Sequence, residues 1–173
     1  AAGGAGQQAQ VYWYFLPVAE HLKAPQVQAA ARLGRYPVRV SLGGGQTYGK
    51  ILGIDRLDYL RMAYFRRDFA PEPLGALINQ LARDDSAVLV TPTFLGMFGL
   101  RLGDTFVAEV QRGTKWIAMP FTAAGLLTLW PTTYPTDGTV MVANLEYIFE
   151  QMGGAYPYDV LLNVEDKTDT AAL

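Results

Sequence analysis

Cysteine is absent from the 173-residue chain. Disulfide frameworks, thiolate metal sites and cysteine nucleophiles are therefore excluded. There is one histidine, His21, and there are only two serines, Ser41 and Ser86. Neither serine has glycine two residues before and two after it, so the sharp nucleophile elbow is missing. His21 has no second histidine or carboxylate at metal-ligand spacing, and the adjacent Glu20 would not face it on a helix. It reads as a surface or capping residue, and no metal or cofactor site follows from the sequence.

Long apolar runs are also missing. Nothing approaches the roughly 18 residues of a membrane span; the longest aromatic run is Val11–Leu16. The start, Ala1-Ala2-Gly3-Gly4-Ala5-Gly6, lacks the basic and apolar regions of a signal peptide, and both ends read as cut points inside a longer protein. Lys and Arg form no block and the net charge is -2, which argues against a nucleic-acid partner.

What the chain does have is apolar bulk, 50% hydrophobic against 17% charged, enough to bury a core and to exclude wholesale disorder. The length suits one compact domain, or one domain with two lobes.

Residues 1–10 read as a mobile lead-in and Val11–Leu16 as a strand. Pro17 then opens a helical stretch in which Val18, Leu22, Val27, Ala30 and Leu33 share one side up to Gly34, with a break at Pro25. Val38–Leu42 and Gln46–Gly53 alternate as strands around Gly43-Gly44-Gly45, which predicts a hairpin. Asp55 caps a helix over Arg56–Phe65. Pro71 and Pro73 open another, with Leu74, Leu77, Ile78 and Leu81 at i, i+3, i+4 and i+7. Ala87–Val90 is a short apolar strand, followed by a helix from Thr91-Pro92 to Phe98 that Gly99 closes. Phe106–Val110 and Trp116–Phe121 form strands around a Gln111–Thr114 turn, and Leu126–Trp130 continues β-like. Thr139–Ala143 is a strand, Leu145–Met152 a helix and Tyr158–Val164 a last strand, with a fraying tail after Glu165. Helices and hairpins mixed in this way predict an α+β fold, two-lobed, with mixed or antiparallel sheets and several short helices.

Gly44–Lys50 matches the G-x-x-x-x-G-K core of a phosphate-binding loop, but Ile51 follows where Ser or Thr is needed, and a strand replaces the helix. It reads as a hairpin turn. Asp55 and Asp58 lie three apart at a helix start, where capping explains them. Arg66-Arg67 reads as a solvated pair or a partner for Asp68. Aromatic and Met residues at loop or helix-end positions, Met97-Phe98 and Trp130 to Pro135, suit either lobe packing or partner contact.

In the second half, Phe98-Gly99-Leu100-Arg101-Leu102-Gly103-Asp104-Thr105 precedes a strand. A strand running into Thr122-Ala123-Ala124-Gly125 follows, and then the strand and helix of Thr139–Tyr147. This order resembles the extracytoplasmic domain of FtsX-like, MacB-type ABC transporter permeases, a group that includes lipoprotein-release permeases. Gly99, Leu100, Leu102, Gly103 and Asp104 match that family's "gl-x-vGD" turn, and Ala124 and Gly125 match the end of its "VvGi" strand. Gly53-Ile54-Asp55 is similar to its "lgiDp" step, with Arg56 in place of Pro. The likeness runs over roughly residues 36–164. Gly103 and Asp104 are read as architectural turn residues, because glycine permits a left-handed turn and aspartate can bond nearby amides.

The resemblance implies a single extracytoplasmic core domain over 1–173, with an α/β lobe at about 11–98 and a β-rich lobe at about 99–164. It would sit between the first and second membrane spans of a permease on the periplasmic or extracellular side of the cell membrane. It would be non-catalytic and without cofactor, relaying motion driven by a cytoplasmic ABC ATPase. Its partners would be the spans of its own polypeptide and that ATPase, with a lipoprotein, lipid, peptide or adaptor protein as possible cargo or ally. Met97, Phe98, Trp130 and Tyr134 are the candidate partner contacts. The rival readings are a free-standing secreted ligand-binding protein and a carboxylate hydrolase using Asp55 and Asp58.

Overall fold

The computed structural model describes residues 14–62 and 64–165. In chain order these form α1 (Val18–His21), β1 (Val27–Leu42), β2 (Gly45–Ile54), α2 (Arg56–Met62), α3 (Leu74–Leu81), β3 (Ala87–Val90), α4 (Pro92–Phe98), β4 (Thr105–Arg112), β5 (Lys115–Leu126), a 3-10 turn (Pro135–Asp137), β6 (Thr139–Asn144), α5 (Leu145–Met152) and β7 (Asp159–Val164). This is the mixed α+β composition that the sequence predicts.

Six strands close into a ring in the order β1-β2-β6-β3-β5-β4, and β4 returns to β1. The pairs β2/β6 and β3/β5 are parallel and the others antiparallel. Closure removes edges that would otherwise be open to pairing with another chain. Strands from before and after Gly99 share the ring, with β3 lying between β6 and β5. β1 is long enough to do two jobs. Its second half belongs to the ring, and its first half projects as a ribbon paired with β7, from Leu33 opposite Asp159 to Val27 opposite Val164.

The period of two along each strand builds two cores. Inward residues, among them Val38, Val40, Ile51, Val88, Val110, Phe121 and Met141, fill the ring. The C-terminal ends of β6 and β3 lie at opposite ends of the ring, because these strands are antiparallel. α5 follows β6 directly and closes one end with Leu145, Ile148, Phe149 and Met152. α4 follows β3 and covers the other, where Phe94 packs on Phe106 with ring centroids 5.0 Å apart. Outward residues Leu52, Ile54, Leu89, Val140 and Val142 meet a second layer made by Tyr59, Trp130 and the Leu74, Leu77, Ile78 and Leu81 stripe of α3. Each such side chain contributes about 1.5–3 kcal/mol on full burial. Strand β3 is covered on both faces, which explains why Ala87–Val90 carries no polar residue.

Local chemistry sets the boundaries. The Thr91 hydroxyl accepts from the Phe94 amide at 3.1 Å and Pro92 takes the first turn of α4, while Gly99 ends it at φ 64°. The Gly43-Gly44 pair has φ of 57° and 84°, the left-handed backbone of a two-residue hairpin, and β1 and β2 pair on either side of it as predicted. The buried Asn144 amide donates to the carbonyls of Leu81, Asp84 and Asp85 at 3.0, 3.3 and 2.9 Å, tying the α3–β3 connection to the foot of β6.

Four expectations are corrected. The helix expected up to Gly34 is only α1; Val27–Leu33 is strand, because pairing with β7 outweighs the helical propensity of its three alanines. The β-like run of Leu126–Trp130 stops at Leu126, and Trp130 turns into the outer core. α2 stops at Met62 rather than Phe65. Of the strand expected over Val11–Leu16, Tyr14–Leu16 carry no strand pairing, and Val11–Trp13 lie outside the described residues, as do the lead-in at 1–10 and the tail from 166.

Candidate functional site

The charged centre of the fold is Arg32, at the junction of ring and ribbon. Its Nε donates to Asp55 Oδ2 at 2.8 Å and its Nη2 to Asp55 Oδ1 at 2.7 Å, a bidentate fork, and Nη2 also reaches Glu146. The Arg32 amide donates to the same carboxylate at 3.2 Å. The rings of Phe149 and Tyr158 lie 6.0 and 5.7 Å from the guanidinium. The Asp55 hydrogen bond holds Arg32 protonated against its burial. One side chain thus ties the ribbon strand β1 to the end of β2 and the first turn of α5. Sequence reading assigned Asp55 to capping and missed this role; its partner lies 23 residues away, at no helical or hairpin spacing.

Beside this fork is an open cleft of about 610 Å³ whose charged lining includes Asp55, Asp58, Asp85, Glu146 and Glu150. Asp55 spends both oxygens on Arg32, whereas Asp58 is exposed. The pair therefore lacks the two free, converging carboxyls that hydrolysis needs. Among the described residues no group of three or more His, Asp or Glu is placed to hold a metal ion.

The other motifs fall into structural places. The Gly44–Lys50 stretch is hairpin and strand, with no helix N-terminus to meet a phosphate. Ser86 donates to Asp84 Oδ1 at 2.7 Å and its amide does the same, which holds the Asp84 carboxyl below the usual range. Ser41 is exposed and His21 half-buried. Arg66 pairs with Asp68 at 2.6 Å. Gly103 has φ 95°, and Asp104 Oδ2 accepts from the Arg101 amide at 2.8 Å, closing the turn into β4.

The four candidate contacts separate. Met97 is exposed and Phe98 half-buried at the end of α4, where the Phe98 ring comes against the hairpin at Gly45. Tyr134 is exposed ahead of β6; its amide donates to Asp137 Oδ2 at 2.9 Å, and Asp137 in turn accepts from Lys50 at 2.7 Å, which keeps its carboxyl below the usual range. These three stand at the end of the ring that α4 covers. Trp130 is different. It is 1% exposed, stacks on Tyr59 at 5.6 Å and meets Phe65 edge-on at 5.4 Å, so it is a core residue and no surface contact.

No protein-family model and no curated protein matches the chain. Solved structures do. The extracellular domain of the ABC-type transporter YknZ from Gram-positive bacteria superposes with a TM-score of 0.52 at 14% identity, over 86% of this chain and 71% of that one. The periplasmic region of MacB from Actinobacillus actinomycetemcomitans superposes with a TM-score of 0.50 at 8% identity, over 90% of this chain and 66% of that one. The chain has the fold of the extracytoplasmic domains of MacB-type ABC transporter permeases.

Proposed function

We propose that this chain is the extracytoplasmic core domain of an ABC transporter permease, a non-catalytic module spanning 1–173. It would sit outside the cell membrane and couple ATP-driven motion of the membrane spans to export or to lipoprotein or lipid release. The observation that carries the reading is the ribbon. β1 begins and β7 ends side by side, Val27 opposite Val164, a two-stranded ribbon that suits a stalk leading from a domain inserted between two spans. The residues ahead of α1 lie at the other end of the ribbon, where Phe15 stacks on Tyr158 at 5.1 Å. The fork at Arg32 then passes displacement of that ribbon to the ring. Met97, Phe98 and Tyr134, at the far end, are the surface for a peptide, lipoprotein or adaptor partner.

The parent gene tests this. An apolar run of about 20 residues upstream, with three more downstream, is the expected pattern. Purification of the parent protein should also bring down an ABC ATPase. A reading frame without spans, encoding a secreted chain, would overturn the proposal.

A further inference from the structure

Ring closure leaves one strand with an open side. Among the described strands, β7 alone has a single neighbour, β1. The Glu165 amide donates to the Gln26 carbonyl, so the backbone groups of Glu165 point toward β1. Those groups alternate in side along an extended strand. The N–H and C=O of Val160, Leu162 and Val164 therefore point away from β1, toward the open edge. Nothing along β7 blunts that edge. Its sequence, Asp-Val-Leu-Leu-Asn-Val, has no proline, lysine or glycine, and the register shift of the ribbon falls on β1, between Val27 and Ala29. Its two polar side chains are turned to this chain: Asp159 pairs with Arg35 at 3.1 Å, and Asn163 donates to the Arg61 carbonyl at 3.4 Å. Leu161, on the same face as Asn163, packs against the outer core. Phe15 stacks on Tyr158, but Tyr14–Leu16 add no strand.

Charge decides what fills the edge. A second copy of β7, laid antiparallel so that every open residue is used, sets Leu162 opposite Leu162 and Asp159 opposite Glu165 at both ends. Like charges directly opposed across strands are unfavourable. The surroundings are acidic too. Tyr158, next to Asp159, lines the cleft that carries the exposed carboxylates of Asp58, Asp85, Glu146 and Glu150. A foreign strand with basic residues at the two end positions meets attraction instead. We propose that β7 accepts an extended segment of a partner protein as an added antiparallel strand, apolar in its middle, with a lysine or arginine opposite each of Asp159 and Glu165. Backbone bonds to Val160, Leu162 and Val164 supply affinity, and side chains at alternate positions supply selectivity. This edge is separate from the surface of Met97, Phe98 and Tyr134, and it needs no bilayer.

Hydrogen exchange of the free chain reads the edge itself. The amides of Val160, Leu162 and Val164 should exchange at least about tenfold faster than those of Leu161 and Asn163. Equal protection of both sets would overturn the proposal, because another part of the chain or a second copy would then fill the edge. Fluorescence anisotropy reads strand addition, with the labelled peptide Lys-Val-Thr-Val-Thr-Val-Lys as probe. The folded chain should bind it, and a peptide with glutamate in place of both lysines should bind about tenfold more weakly. N-methylation of the three valines, which lie opposite Val160, Leu162 and Val164, removes the donors and should abolish binding. Leu162→Pro removes an open amide, which an edge position tolerates, and should weaken binding at least about tenfold in a chain that circular dichroism shows to be folded. The N-methylated peptide makes the same test without altering the chain. No binding of the lysine peptide, or binding indifferent to N-methylation and to the flanking charge, would overturn the proposal. A parent gene without membrane spans, by contrast, would overturn the permease reading and leave the peptide result standing.

Discussion

Val27 and Val164 face each other at the open end of the β1/β7 ribbon, and the Glu165 amide donates to the Gln26 carbonyl at 3.1 Å just beyond them. A bond between the residues that flank a pair marks the pair itself as non-hydrogen-bonded, the closely spaced kind. The start of β1 and the end of β7 therefore lie at one point. Cysteines replacing both valines should form a disulfide in air without loss of the fold, since such pairs have suitable separation. Mass spectrometry of the oxidised variant checks this; two persistently free thiols would count against the ribbon.

Gly49 sits where β2 and β6 run parallel, and a Cβ there would lie 1.8 Å from the Thr139 carbonyl oxygen. Backbone cannot move aside as a side chain can. Gly49→Ala should cost about 3 kcal/mol or more. Gly43→Ala, at φ 57° in open space, should cost only about 1 kcal/mol from left-handed strain. Urea unfolding of the two variants measures the contrast.

Trp130 and Tyr134 are four residues apart and should behave oppositely. Trp130→Ala empties the junction of α2 and the outer core and should cost about 3–5 kcal/mol. Tyr134→Ala removes an exposed ring and should change stability by no more than about 0.5 kcal/mol, leaving any effect to partner binding.

Burial raises the Tyr59 hydroxyl to about 12. Burial moves Tyr36 in the same direction, and its hydroxyl donates to the Pro157 carbonyl at 3.0 Å. A tyrosine ionises near 10 when unfolded, so the folded chain holds these protons more tightly. The Tyr59 contribution to stability is complete below pH 10 and is lost as pH rises from there through 12, and that of Tyr36 falls in the same direction. For Tyr59 the loss is about 2 kcal/mol by pH 12. Tyr59→Phe should flatten that alkaline fall, as read by urea titrations at stepped pH alongside tyrosinate absorbance.

Arg32→Met removes the fork to Asp55 and the bond to Glu146. It should lower stability by about 2 kcal/mol through the stranded carboxylate. Hydrogen exchange should then rise at the start of β1 and in β7 more than inside the ring.

Elements whose signals are local were legible in the sequence. α3 follows from its four apolar residues, α4 from Thr91-Pro92 and Gly99, and the first hairpin from its glycines. What stayed hidden depends on partners distant in sequence. Val27–Leu33 looks helical until β7, some 130 residues later, offers it a ladder. Ring closure has no sequence signature at all, because it depends on which strands pair. Trp130 looked available because a loop tryptophan carries no mark of whether Tyr59 will stack on it. The Arg32–Asp55 fork joins two elements whose spacing obeys no period. The order of short turns around Gly99 to Asp104 suggested the transporter fold well before any strand order could be derived.

The placement of the domain outside the membrane is tested most directly by labelling. The chain has no cysteine of its own, so Tyr134→Cys in the parent protein creates one exposed thiol in this domain. A membrane-impermeant maleimide applied to intact cells, with the unsubstituted parent as control, is expected to label it as fully as in lysed cells. Labelling that appears only after lysis would put the domain on the cytoplasmic side and contradict an extracytoplasmic role.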